Sequence, residues 1–361
     1  MNLVWFSEIK WTYLTTRKQL LLRQFPPEDQ ILFFQPFSFV GANSFRPRRD
    51  GNITYITLPT YRQTSNRVVN WFFETGFTRG LIMAILRLYV RMLVAVLLRS
   101  RVDRVMCSNI FYLDLIRAVK APYGWDYNDD PEQFGSQPEW ALVKMADFLR
   151  DPVHPLTTCS TYLKRELEKR YQREVIHIPN GIDLEAFPPK TNDRARGIFG
   201  YVGIISAWFF DFDLVHALAN AFPDKRVVLV GPVDADAEPL LRNLLQRPNV
   251  IHEPAVPYEL LQERMARFEI GLIPLKDIPQ VWQAASAKFL QYLATGIPVV
   301  STWMEQFEHF NEHVRLVHGE QAFLQAVSDL QDQPPFDPPA ELRAYDWPEL
   351  SRQFRSTLEQ M

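Results

Sequence analysis

Short apolar runs alternate with helix-length amphipathic stretches along nearly all of this 361-residue chain, and the series stops and restarts once. An apolar run followed by a helical pattern builds a strand and its crossover helix, the unit of a parallel sheet. In the first half the expected strands are Leu3–Phe6, Ile31–Gln35, Ile53–Leu58, Arg104–Ser108, Tyr123–Tyr127, Pro155–Cys159 and Val175–Pro179, with helices such as Thr15–Gln24 and Thr161–Tyr171 between them. A second series opens at Gly197 with strands Ile198–Val202, Val227–Val230, Val250–Glu253, Ile270–Pro274 and Val299–Thr302. Its helices are Asp213–Ala221, Leu240–Gln246, Tyr258–Arg267 and Ala287–Thr295. The fold class is therefore α/β, with two Rossmann-like doubly wound domains facing a cleft, where such sheets hold ligands at the carboxyl ends of their strands. The first domain is expected over residues 1–190 and the second over 191–335. Residues 336–361 form a last helix packing back towards the first domain, and the linker composition of Pro188–Asp193 marks the boundary.

A net charge of −3 leaves no basic excess to neutralise phosphates, so a general nucleic-acid binder is excluded. Cys107 and Cys159 sit outside any metal or redox spacing and are read as buried small hydrophobes in a reducing compartment. Met1–Phe6 has no basic n-region, which reads as the first strand of a cytoplasmic protein. His309 and His313 are four apart among Glu305, Glu308 and Glu312, but no further ligand constellation accompanies them, and no metal site is expected.

The segment Ala285–Val300 carries the most chemistry. Ser286 is a good N-cap, Gly296 and Pro298 stop the helix, and a β-branched strand follows. Lys288 falls in the first turn, where the helix dipole disfavours a cation unless an anion is bound. A helix N-terminus with a lysine suits a diphosphate, and Gln291, one turn on, shares that face. A capped surface helix with a snorkelling lysine explains the same residues and stays open. Gly203 has a backbone reason, a strand-to-helix turn close to a ligand, although an ordinary tight turn is nearly as good an account. Trp208 and Phe209 could line the cleft or pack the hinge.

Other pieces follow in order. Ser286-Ala287-Lys288-Phe289-Leu290-Gln291-Tyr292, Gly296-Ile297-Pro298-Val299-Val300, Ile178-Pro179-Asn180-Gly181-Ile182-Asp183 and Gly200-Tyr201-Val202-Gly203 together resemble the GT-B glycosyltransferases, family 4-like members in particular. Retaining members often carry two glutamates eight positions apart; here Gln283 and Gln291 stand in those places, closer to the xanthan-type inverting glucuronosyltransferases. That resemblance implies a UDP-sugar donor held by Ser286, Lys288, Gln291, Tyr292 and Gly203, with Glu253 at the ribose or base. It further implies a glycan or lipid-linked acceptor in bacterial polysaccharide or glycoconjugate synthesis, and no metal cofactor. An inverting transfer needs a general base, and a carboxylate beside others has a raised pKa suited to it. Within Gly124–Phe134, Asp129 is the first candidate and Asp130 the second, unless these acids only cap a turn. A nucleotide-sugar epimerase of the same architecture and a non-catalytic nucleotide-sugar binder are the alternatives.

Leu81–Leu98 is the most hydrophobic stretch, but Arg87 and Arg91 near its middle would cost about 2.5–3.5 kcal/mol each in a spanning helix. Between residues 62 and 104 eight arginines face Glu74 and Asp103, and eight less two leaves a local +6. Arg87, Arg91 and Arg99 are therefore read as a basic face for an acceptor or an anionic membrane, which makes the protein peripheral. A buried crossover helix with arginines at its rim accounts for the same pattern.

Overall fold

The computed structural model describes residues 1–12, 16–38, 43–59, 67–98, 100–133, 137–187, 196–310, 312–334 and 336–361. Arg99 and most of the expected linker, residues 188–195, lie outside these. The chain divides into two compact units. One comprises Met1–Cys159, Leu163–Ile178 and Leu350–Met361; the other comprises Ser160–Tyr162 and Pro179–Glu349.

The first unit holds an eight-stranded sheet: β1 (Asn2–Phe6), β2 (Gln30–Pro36), β3 (Arg48–Asp50), β4 (Ile53–Leu58), β5 (Arg104–Cys107), β6 (Tyr123–Asp126), β7 (Leu156–Thr158) and β8 (Ile176–His177). Their order is β3-β4-β2-β1-β5-β6-β7-β8, with the earliest strand at the centre. Leu3, Val4, Trp5 and Phe6 of β1 are fully buried, as a parallel strand covered on both faces must be. Strand β3 has no apolar residue to announce it. It pairs antiparallel with β4 through a two-residue turn, where Gly51 supplies φ of 59°. The helices are α1 (Arg17–Arg23), α2 (Arg67–Glu74), α3 (Gly76–Leu97), α4 (Leu113–Ile116), α5 (Glu139–Arg150) and α6 (Thr161–Tyr171).

The second unit holds a parallel sheet in the order β11-β10-β9-β12-β13-β14. Its strands are β9 (Ile198–Val202), β10 (Arg226–Val230), β11 (Val250–Glu253), β12 (Ile270–Ile273), β13 (Val299–Thr302) and β14 (Val314–Val317). Its helices are α7 (Phe212–Ala221), α8 (Glu238–Leu244), α9 (Leu261–Met265), α10 (Pro279–Trp282), α11 (Ala287–Ala294) and α12 (Glu320–Leu330). A last helix, α13 (Trp347–Gln360), ends the chain.

The division falls at Ile178, not at 190, because the next residues bond within the second unit. Asn180 Nδ2 donates to the Ala285 carbonyl at 2.6 Å, and the Ile182 amide donates to the Tyr345 carbonyl at 2.8 Å. Residues 336–349 stay with the second unit too, and from Leu350 the last helix belongs with the first. Phe354 lies against Trp5 at 5.7 Å between ring centroids, and Arg355 Nε reaches Asp29 at 2.7 Å.

Candidate functional site

In the second unit the carboxyl ends of three strands meet the start of α11. Strand β9 runs into Gly203, β10 into Gly231, and β11 ends on Glu253. The Gly203 amide donates to the Val230 carbonyl at 2.8 Å, and the Gly231 amide to the Glu253 carbonyl at 3.0 Å. Both glycines have positive φ, 150° and 148°. A Cβ on Gly231 would stand 2.0 Å from the Gly203 carbonyl oxygen, and one on Gly203 would stand 2.2 Å from Lys288 Cε. These two positions need glycine for backbone angle and for space.

Lys288 is thereby seated directly on the Gly203 turn, its ammonium 5.6 Å from the Tyr201 ring centroid. Burial alone pulls this ammonium down to about 8, and no carboxylate opposes the shift. Ser286 caps α11 in an extended conformation, yet its hydroxyl makes no cap bond. The Oγ atom is buried without a hydrogen-bond partner among the described residues. A half-buried cation without a counter-ion among the described residues and an unused buried hydroxyl, at a helix start that leaves its first amides without intrahelical partners, can receive an anion.

The remaining donor candidates divide. Gln291, one turn beyond Lys288, hydrogen-bonds the Tyr258 side chain, whose hydroxyl is pushed up to about 12, by burial first and then by Asp183. Glu253 is half-buried at its strand end and pairs with Arg264. Tyr292 does not fit the role expected of it. Its side chain is fully buried, its hydroxyl donates to the Gly200 carbonyl at 3.2 Å, and it accepts the Val202 amide at 3.1 Å. The ring also fills the space over Gly271. Tyr292 holds β9 against α11 and has no surface left for a ligand.

The first unit gathers a charged cluster at the carboxyl ends of β1 and β6 and the start of α1. Asp126 accepts from Thr157 Oγ1 at 2.8 Å and from Asn128 Nδ2 at 2.6 Å, with Arg17 at 3.7 Å. Asn128 Oδ1 takes the Cys159 amide at 3.1 Å, which pins the loop carrying the acids. Asp129 is exposed on this loop. Its carboxyl is raised above the ordinary range, by desolvation first and by Glu8 and Asp126, against the pull of Lys18. Lys18 is itself buried; burial would lower it, but Glu8, Asp126 and Asp129 together raise it. Asp130 has another occupation: it accepts the Tyr127 hydroxyl at 2.7 Å and the Glu132 amide at 3.1 Å, a turn cap. The raised Asp129 carboxyl has the direction of shift that base chemistry needs.

Arg17, Lys18, Glu8, Tyr258 and Gly231 stand beside the candidate residues only through segments distant in sequence, which no local motif announces. Of the expected basic face, Arg87 and Arg91 lie within the described residues. Arg87 Nε donates to the Asp114 carbonyl and Arg91 Nε to the Ala118 carbonyl, both at 3.1 Å, so both tie α3 to the α4 region. Their heads stay exposed beside a stripe of apolar side chains. His309 hydrogen-bonds Tyr345 through Nε2, and His313 stacks on Phe336. Both cysteines are buried, with thiols pushed up to about 12 by desolvation.

No family model matches the sequence. Over 158 residues the chain is 32% identical to TuaH of Bacillus subtilis (strain 168), a protein assigned by name to teichuronic acid biosynthesis as a glycosyltransferase. That match spans 41% of this chain and 40% of the relative's length. Among solved structures, the E. coli trehalose-6-phosphate protein bound with UDP-2-fluoro glucose superposes with a TM-score of 0.69 at 14% identity, covering 100% of this chain and 99% of that one. Sucrose-phosphate synthase from Thermosynechococcus elongatus gives 0.72 at 14% identity over 99% and 98%. HepE from Anabaena in complex with UDP gives 0.69 at 15% identity over the whole of both chains. Likeness at this identity establishes the fold: two Rossmann-like domains of GT-B type.

Proposed function

We propose that the protein is a glycosyltransferase that moves a sugar from a UDP-sugar to a glycan or lipid-linked acceptor in bacterial polysaccharide or glycoconjugate synthesis. The observation that carries this reading is Lys288, a half-buried, partly desolvated lysine with no carboxylate partner among the described residues, seated on a glycine turn at the start of α11. The diphosphate of a nucleotide sugar supplies the missing charge, and the Ser286 hydroxyl and the first amides of α11 supply donors for its oxygens. The name of the Bacillus relative and the UDP-bound neighbours support a sugar nucleotide over other anions.

In the proposed reaction Asp129 takes the proton of an acceptor hydroxyl as its oxygen bonds to the anomeric carbon from the face opposite the leaving group. The carbon–oxygen bond to UDP breaks, and its electron pair leaves on the β-phosphate. Lys288 and the α11 dipole stabilise that developing charge, which is the work a metal does elsewhere, so the reaction is proposed as inverting and metal-independent. Gln291 and Tyr258 are placed by this reading at the ribose, and Glu253 at the rim of the nucleoside pocket. The protein is read as cytoplasmic and peripheral, meeting its acceptor at an anionic membrane surface.

Titration calorimetry with UDP tests the donor half. Lys288→Ala is expected to lower affinity about 10- to 100-fold, the worth of a charge-assisted hydrogen bond of about 1.5–3 kcal/mol. Unchanged affinity would remove the site. Incubation of UDP-sugars without acceptor tests the reaction class: a transferase leaves the sugar's configuration untouched, whereas conversion to an epimer would overturn the reading.

A further inference from the structure

We propose that α3 lies in the plane of an anionic phospholipid membrane, with its solvent-facing stripe inserted among the upper acyl chains. The proposal deepens the reading of a membrane-presented acceptor; it rests on that reading for its purpose but not for its test.

Helix α3 has 22 residues, a length of about 33 Å, and contains no acidic residue. At about 100° per residue its side chains fall into two opposed arcs. Met83, Leu86, Val90 and Leu93 are buried in the core of the first unit. On the other side Phe77, Leu81, Ile85, Leu88, Met92 and Val96 are exposed, Phe77 by 83% and Leu88 by 69%. The small residues interleaved on that arc are Ala84 and Ala95, so about 120° of helix surface is apolar along its length apart from Thr78 at its amino-terminal edge. A soluble domain rarely leaves a continuous apolar strip of this kind to water.

The mean hydropathy of 2.1 over an 18-residue window and the length would both allow a span. The packing does not: a helix whose inner arc belongs to the domain core cannot be surrounded by lipid, and its mid-length arginines would be stranded in hydrocarbon. An in-plane seat satisfies both arcs at once. Arg87 and Arg91 lie along one edge of the stripe, braced by the carbonyls of Asp114 and Ala118, with their heads at the level where lipid phosphates would sit. Asp114 is the acid beside Arg87, and it is shared with Lys144 at 3.4 Å. At the amino end of the stripe, Trp71 and Phe72 of α2 are exposed next to Phe77, the residue types that settle at a headgroup boundary. A protein partner of comparable area would require about one hydrogen bond per 100–200 Å², and the one polar side chain on the stripe, Thr78, already gives its hydroxyl to the Phe72 and Thr75 carbonyls. The charge at its edge and the aromatic residues at its end instead complement an anionic lipid surface.

The test uses the full chain and sedimentation with vesicles of phosphatidylcholine alone or mixed with phosphatidylglycerol. The wild type is expected to pellet with the mixed vesicles, and the double variant Ile85→Glu with Leu88→Glu to lose at least about tenfold in partitioning while keeping UDP affinity and melting temperature. Arg87→Ala with Arg91→Ala is expected to erase the preference for the anionic lipid and its salt dependence. A wild type that stays in the supernatant with both vesicle types overturns the proposal, as does a double variant that pellets normally. A wild-type dimer that the double variant dissociates, without vesicle binding, assigns the stripe to a second copy and also overturns it. Vesicle binding by a protein that fails to bind UDP would leave this inference standing and remove the transferase reading instead.

Discussion

The desolvated Lys288 ammonium costs folding stability at neutral pH. With its folded-state pKa pulled to about 8, below the ordinary lysine value, the unfolded chain holds more protons in the window between the two, and stability rises with pH there. Below about 8 the full cost of the buried charge is present. Lys288→Met, which keeps the shape and removes the charge, is therefore expected to raise the melting temperature at neutral pH in the absence of ligand. In the wild type the free ammonium fraction falls above about 8, so UDP affinity, measured by calorimetry, should hold flat at lower pH and decline above it. Affinity that rises through that range would contradict a cationic contact. Asp129 has the opposite pH slope, because its raised carboxyl binds its proton more tightly in the folded state and stability falls as pH rises through that range. Its raised carboxyl disfavours the ionised form in the folded protein, so Asp129→Asn is expected to leave thermal stability unchanged or higher. The same variant should keep UDP binding and abolish transfer, and transfer by the wild type should fall as pH drops through that raised value. The start and stop of the helix carrying Lys288 were legible because cap, cation and stop signals lie within one short segment. Tyr292 was misassigned because a helix face is not visible in a motif: the residue next to Gln291 turns inward to the β9 backbone.

Elements were legible where periodicity is strong. Strands Ile53–Leu58, Ile198–Val202, Val250–Glu253 and Val299–Thr302, and the helix Thr161–Tyr171, have the bounds expected of them. The stretch Tyr258–Arg267 instead opens as a 3-10 turn at Tyr258–Leu260 before α9, so that Tyr258 faces Gln291. Two strands carry no local signal, for different reasons. The β3 strand is polar and exists through its turn, and β14 (Val314–Val317) is a short run that follows the polar helical turn Glu305–Phe310. The turn after β10 carries the sharpest consequence. Gly231 has no room for a side chain, because the obstacle is the Gly203 backbone and not a movable side-chain end. Gly231→Ala is expected to cost about 1–3 kcal/mol, from strain at positive φ and displacement of the Gly203 turn. Because that turn seats Lys288, UDP binding should weaken as well, although residue 231 needs no contact with the ligand. A variant with wild-type melting temperature and affinity in parallel assays would show that the turn yields freely.

At the scale of the whole molecule, the sequence pattern announced two sheets but not how the chain is apportioned between them. Residues 350–361 return to the first unit through contacts no local signal encodes: Trp5 against Phe354, Arg104 to the carbonyls of Leu358 and Glu359, and Arg355 to Asp29. Asp29 is fully buried, and burial alone would raise its carboxyl; Arg355 and the amino-terminal ammonium outweigh this and hold it below the ordinary range. A depressed carboxylate contributes stability above its unfolded-state value and loses it as pH falls through the folded one. Arg355→Ala leaves a buried acceptor short of a partner, at about 1–3 kcal/mol in the neutral range. The difference between wild type and variant should then shrink towards strongly acidic pH, where Asp29 is protonated in both. Melting curves across that range check the sign. A gap that widens on acidification would mean that Arg355 holds α13 by packing its stem and not by its charge.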